Sequence, residues 1–325
     1  MDSGKESMVT PIDALGEPSI QTNPVTSSSR NFLIKSIIGL VALLLLFTGC
    51  NLLPLTQLNV VGSTIISLPL TIWLVICLAG TLQNIRHLIV FTFIIMVSFL
   101  PMVMIPILAE TYPRLPWKKT AFITHPYFTI LTSVPGLRTI LIICGAACLA
   151  VWLSRMVKEM KILLPIAAAL FLMDIYVVFG GGLVTQAVHT PASKPSVAKV
   201  AMHALTAPLP SVKSSTLHAA PINVVGFADF LFIGFFFSCF YRFKTDPNKV
   251  RATFIILSVV LLIYMALTYL IVALPALVPI SVVVVGMNLR EFRYTRSEAF
   301  ALLYVGMLML AILGFMVLHS RGDIG

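Results

Sequence analysis

PINVVGFADFLFIGFFFSCFYR, residues Pro221–Arg242, is an apolar run that ends on an arginine and holds a single acid, Asp229. As a helix rising about 1.5 Å per residue, a run of this length crosses the roughly 30 Å hydrocarbon core of a bilayer. A carboxylate inside such a run costs about 3 kcal/mol to insert, so it turns to the bundle interior and seeks a partner. The stretch therefore predicts a membrane-spanning helix with a functional acid in it.

The rest of the chain agrees. Of its 325 residues, 58% are hydrophobic and 10% charged, and the mean hydropathy is +1.00. A soluble domain cannot bury that much apolar surface. The fold class is all-α integral membrane, with about nine transmembrane helices. Apolar runs predict them at 32–50, 59–80, 88–108, 137–153, 162–183, 221–242, 252–272, 273–289 and 299–318. Segment 119–136 holds Lys119, His125 and two prolines, and reads as an interfacial or re-entrant piece. The polar stretch 1–31 reads as a disordered tail. Residues 32–153 form an N-terminal bundle and 154–291 carry the chemistry, with 184–220 a flexible loop inside them. Residues 292–325 add a final helix and tail.

The formal charge of +10 comes from loops and span ends. Of the 22 basic residues, 14 fall on one side of the predicted spans, and that side is cytoplasmic by the positive-inside rule. No basic, aromatic-interleaved surface lies outside the spans, so the lipid bilayer and not nucleic acid is the partner. Such a chain is a multi-pass membrane protein, in the plasma membrane of a prokaryote or an endomembrane of a eukaryote. Cys50, Cys77, Cys144, Cys148 and Cys239 all lie in or beside apolar runs and read as small buried hydrophobes. No HExxH helix, GxSxG elbow or phosphate loop is present. The expected chemistry needs no metal and no cofactor.

Twelve residues are acidic, and only Asp174 and Asp229 fall well inside the predicted spans. Asp174 follows Lys161 by 13 residues, and Asp229 precedes Arg242 by 13. Both therefore lie about 20 Å from the same membrane face, on helices that run in opposite directions. Two carboxylates that meet at low dielectric cannot both ionise, and they share a proton. One acts as base on a water while its protonated partner polarises a carbonyl. The spacing alone leaves three uses open: hydrolysis, proton or cation transport, and polar contact between helices.

The flanking residues narrow the choice. Met173-Asp174 opens MDIYVVFG, Gly226-Phe227-Ala228-Asp229 precedes Gly234 and Arg242-Phe243, and Pro275-Ala276-Leu277 precedes Arg290-Glu291. In this order they resemble the YD, GxGD and PAL motifs of the presenilin and signal peptide peptidase family, the intramembrane aspartyl proteases. The resemblance covers about 160–291. It implies a presenilin-like bundle in which Asp174 and Asp229 are the catalytic pair. It also implies that Met173, Gly226, Phe227, Ala228, Pro275, Ala276 and Leu277 shape the site, and that transmembrane helices are the substrates. The sequence departs from the family at Met173, where a tyrosine is usual, and at Ala228, where a glycine is usual. Those departures leave a second reading, an inactive relative that binds membrane helices, and the aspartate pair itself leaves a third, a carboxylate-based proton- or cation-coupled transporter.

Overall fold

The structure is a computed structural model that describes residues 24–52, 57–111, 136–179, 206–208, 224–268, 276–289, 292 and 294–322. Nine α-helices run through them. They are α1 (Pro24–Leu52), α2 (Gln57–Thr81), α3 (Ile85–Thr111), α4 (Leu137–Met156) and α5 (Leu163–Phe179). After them come α6 (Phe227–Arg242), α7 (Pro247–Thr268), α8 (Leu277–Asn288) and α9 (Arg296–Gly322). A 3-10 turn, Met160–Ile162, leads into α5. Strands β1 (Thr206–Pro208) and β2 (Val224–Gly226) form a two-stranded antiparallel ribbon.

Three expectations change. The tail expected to be disordered is helical from Pro24, because proline at a first helical position fits the helix and loses no bond. The 184–220 stretch contributes β1, so this part of it is paired and not loose. The helix expected from 221 begins at Phe227 instead. Val224 and Val225 are β-branched and extended there, and Gly226 ends the strand. The expected re-entrant piece lies outside the described residues, apart from Gly136, as do Pro275, Arg290 and Glu291.

α2, α4 and α6 make the centre. Phe230, Phe236, Phe237 and Phe240 of α6 are fully buried, as are Leu74 and Val75 of α2 and Ala146, Ala147 and Ala150 of α4. Hydroxyls and amides stitch these helices together. Ser154 and Ser238 share a bond at 2.7 Å, and Gln83 donates to Ser238 at 2.7 Å. Arg242, at the end of α6, donates to the Ser154 and Val157 carbonyls at the end of α4. The last carbonyls of a helix lack the next turn's amides. Among the described residues, the Ser154 carbonyl accepts only from the C-cap Val157 amide at 3.3 Å besides Arg242, which explains an arginine at that place. The five cysteines are free and buried.

The outer helices invert the rule for soluble proteins. α1, α3, α7 and α9 expose apolar side chains, with Phe93, Phe300 and Phe315 each more than 70% accessible. Among the described residues, four helical segments, Asn31–Cys50, Gly62–Thr81, Leu137–Met156 and Pro247–Leu267, are long and apolar enough to cross a membrane.

Caps set several ends. Asp246 accepts from the Asn248 amide at 2.9 Å and Pro247 follows it, a strong start for α7. Thr295 and Glu298 form a reciprocal capping box at the start of α9. Glu298 also accepts from Lys161 at 2.6 Å, which ties α9 to the turn before α5. The Lys161 ammonium, then the Thr295 amide, hold the Glu298 carboxyl down at about 2, against an ordinary 4.5. A depressed carboxylate stabilises the fold above its ordinary value and loses that contribution as the pH falls toward the folded one. Glu298→Gln is therefore expected to loosen the α9 start at neutral pH. The native chain should match that looseness only as the pH drops from about 4.5 toward 2. A spin label at position 297 reads the mobility. Equal mobility of variant and native chain at pH 7 would remove the clamp from the account.

Candidate active site

Asp229 sits in the first turn of α6, three residues after its N-cap, Gly226. Its Oδ2 accepts from the Gly226 amide at 3.1 Å. This is the acidic half of a capping box, since glycine has no side chain to return the bond. Gly226 is extended (φ −72°, ψ 151°), because its amide ends the β1–β2 ribbon as α6 begins. A methyl on Gly226 would come within 3.3 Å of Asp229 Oδ2. The glycine thus leaves the carboxylate its room. Phe227 is half-buried against the core, whereas Ala228 is exposed, so its extra methyl is not pressed against a neighbouring helix.

Asp174 lies on α5, one turn and a half from the last residue of that helix. Its Oδ2 accepts from the Leu277 amide at 2.7 Å. Leu277 opens α8 behind the N-cap Ala276, and its side chain is buried. The first amides of a helix have no partner inside it, and the helix dipole favours negative charge there. An N-terminus that faces Asp174 therefore holds the carboxylate in one orientation. Met173 turns away from this contact and is 60% exposed.

α8 links the parts. It packs along α5 and α7 and touches α6. Asp174 and Leu277 are thus in direct contact, although 103 residues separate them. Asp229 is close enough to Asp174 to feel its charge. Both carboxylates are half-buried. From Arg242 back to Asp229 the rise is still about 20 Å, but Asp229 lies in the first turn of its helix instead of midway along one.

Sequence reasoning missed two contributors. The Leu277 amide is one, because a backbone donor has no letter of its own. Tyr264 of α7 is the other, half-buried and within electrostatic range of both carboxylates. Tyr264 continues the face of α7 on which Thr253, Leu257 and Leu261 are buried, a fact the structure supplies and the sequence does not.

Compared with models of known families, with curated proteins and with solved structures, the chain matches none of them, so its family is argued from its own residues.

Proposed function

We propose that the chain is an intramembrane aspartyl protease, a divergent relative of the presenilins and signal peptide peptidases. It is a multi-pass membrane protein with about nine spans, and it hydrolyses peptide bonds of transmembrane helices. The observation that carries this reading is the bond from the Leu277 amide to Asp174, with Asp229 in electrostatic range. Motifs far apart in the sequence come together around two acids, in a bundle whose outer surface is apolar.

The chemistry follows from a shared proton. The ionised carboxylate takes a proton from water, and the water oxygen bonds to the scissile carbonyl carbon. The protonated carboxyl gives its proton to the carbonyl oxygen, which yields a neutral tetrahedral diol. Collapse breaks the C–N bond: the nitrogen takes the proton the first carboxylate drew from water, and a diol hydroxyl returns its proton to the other carboxylate, which restores the dyad. The substrate has to be extended at that point, because a helix shields its carbonyls. β2 leads directly into Asp229, and a two-stranded ribbon has open edges that pair with an extended chain.

Met173 and Ala228 were the grounds for an inactive relative. Both side chains are exposed, and neither takes part in the bonds that hold the carboxylates. That favours activity over retirement. The test is reconstitution of the full chain in liposomes with a panel of single-span substrates. The native chain is expected to cleave, and Asp174→Ala and Asp229→Ala to be inert. Cleavage that survives either substitution would end the proposal. Proton-coupled uptake that disappears in Asp229→Asn, without any cleavage, would establish the transporter instead.

A further inference from the structure

We infer that Tyr264 is a positioning residue of this site, whose phenol donates to the aspartate pair and fixes which carboxylate is ionised. The inference rests on the protease reading and adds a third side chain to it.

Helix register places Tyr264 beside the site. Asn288, at the end of α8, donates to Thr253, near the start of α7, at 3.5 Å. α7 and α8 are consecutive and closely packed. If they ran parallel, the end of α7 and the start of α8 would lie roughly 39 Å apart, more than the nine links from Thr268 to Leu277 reach. They are therefore antiparallel. Eleven residues beyond Thr253 is Tyr264, and eleven before Asn288 is Leu277. The two lie level, about 16 Å from the Thr253–Asn288 bond. Eleven residues are also close to three whole turns, so the helix face that meets its neighbour at one end meets it again at the other. Leu277 is the residue whose amide holds Asp174.

The electrostatics agree with the register. The Tyr264 phenol interacts with the charges of both Asp174 and Asp229, so it stands near the pair as a whole. An O–H donor strengthens the ionised form of the carboxylate that accepts it. It breaks the symmetry of the pair and assigns base and acid before substrate arrives. Met173 offers no hydroxyl and is largely exposed. A donor from α7, which packs along α8, supplies one.

Tyr264→Phe keeps the ring and removes the hydroxyl. In the reconstituted full chain, kcat is expected to fall about tenfold, as expected for one lost hydrogen bond in a dry site, with KM unchanged. The acid limb of the pH–rate profile should move to higher pH, because the base loses a donor that favoured its ionised form. A kcat and pH profile equal to the native chain's, with Asp174→Asn and Asp229→Asn inert, would overturn the role of Tyr264 and leave the dyad intact. A raised KM with kcat kept would overturn it as well, by assigning Tyr264 to substrate docking. Absence of cleavage by the native chain would overturn the protease reading and this inference together.

Discussion

Asp229→Asn is expected to abolish cleavage while α6 stays folded. Asparagine keeps an oxygen that accepts from the Gly226 amide, now at 3.1 Å from Asp229 Oδ2. Replacing a charged acceptor with a neutral one costs about 1 kcal/mol at this bond. The same change removes the ability to hold or pass a proton, a loss of about a thousandfold in rate. That corresponds to about 4 kcal/mol of transition-state stabilisation. The two effects are unequal enough to separate. Asp174→Asn obeys the same logic, since its amide oxygen still accepts from Leu277. Rates are measured on reconstituted chain, and stability by thermal unfolding monitored through helix content. If both variants cleave at the native rate, the acids merely hold helix ends together, and hydrolysis by this pair is excluded.

This separation matters because both carboxylates have a structural duty. Each satisfies a backbone amide at the start of a helix, Asp229 at α6 and Asp174 at α8. The duty explains how two acids are tolerated in an apolar bundle. It also sets their geometry, since each carboxylate has one oxygen held by a backbone amide. Alanine variants lose both roles and cannot tell them apart. The asparagine pair can.

The helices were legible in the sequence because a bilayer-length apolar run has few other uses. Their ends near the site were less so. Averaged hydropathy counts Val224 and Val225 as helix, whereas β-branching and the glycine after them mark a strand and a cap. The partner of that strand, Thr206–Pro208, sits in a polar segment, and pairing across such a distance leaves no local pattern. The aspartates stood out because an acid is costly in a membrane. Tyr264 did not, since a tyrosine in an apolar helix is ordinary until the register of α7 against α8 sets it level with Leu277. Ala228 looked like an obstruction by comparison with glycine. Its exposure shows that the close approach of α6 is made elsewhere along the helix.

That approach is made at Gly234, and Gly234→Val carries the second large expectation. A methyl at this glycine would lie 3.0 Å from Ala150 Cβ and 3.2 Å from Val75 Cγ1. α4 meets α6 at Gly234 with Ala147 and Ala150, both buried, so the seam is built from small residues that let backbones close up. Alanine at 234 already needs the neighbours to yield. Valine adds two more methyls to a filled seam, and overpacking of this kind costs about 1–3 kcal/mol. The helix cannot slide freely to relieve it, because Arg242 anchors its far end to the Ser154 and Val157 carbonyls. Relief must come as a tilt that moves the Asp229 end. A shift of about 1 Å at reacting groups costs about a hundredfold in rate. Gly234→Val is thus expected to lower both the unfolding temperature and kcat, with the loss in rate larger than the loss in stability suggests. Compensation locates the strain. Ala150→Gly in the Gly234→Ala background removes the nearest obstacle and should recover most of both losses, a coupling that touching residues show and distant ones do not. If the double variant is no better than Gly234→Ala alone, the seam at Ala150 does not hold Asp229 in place.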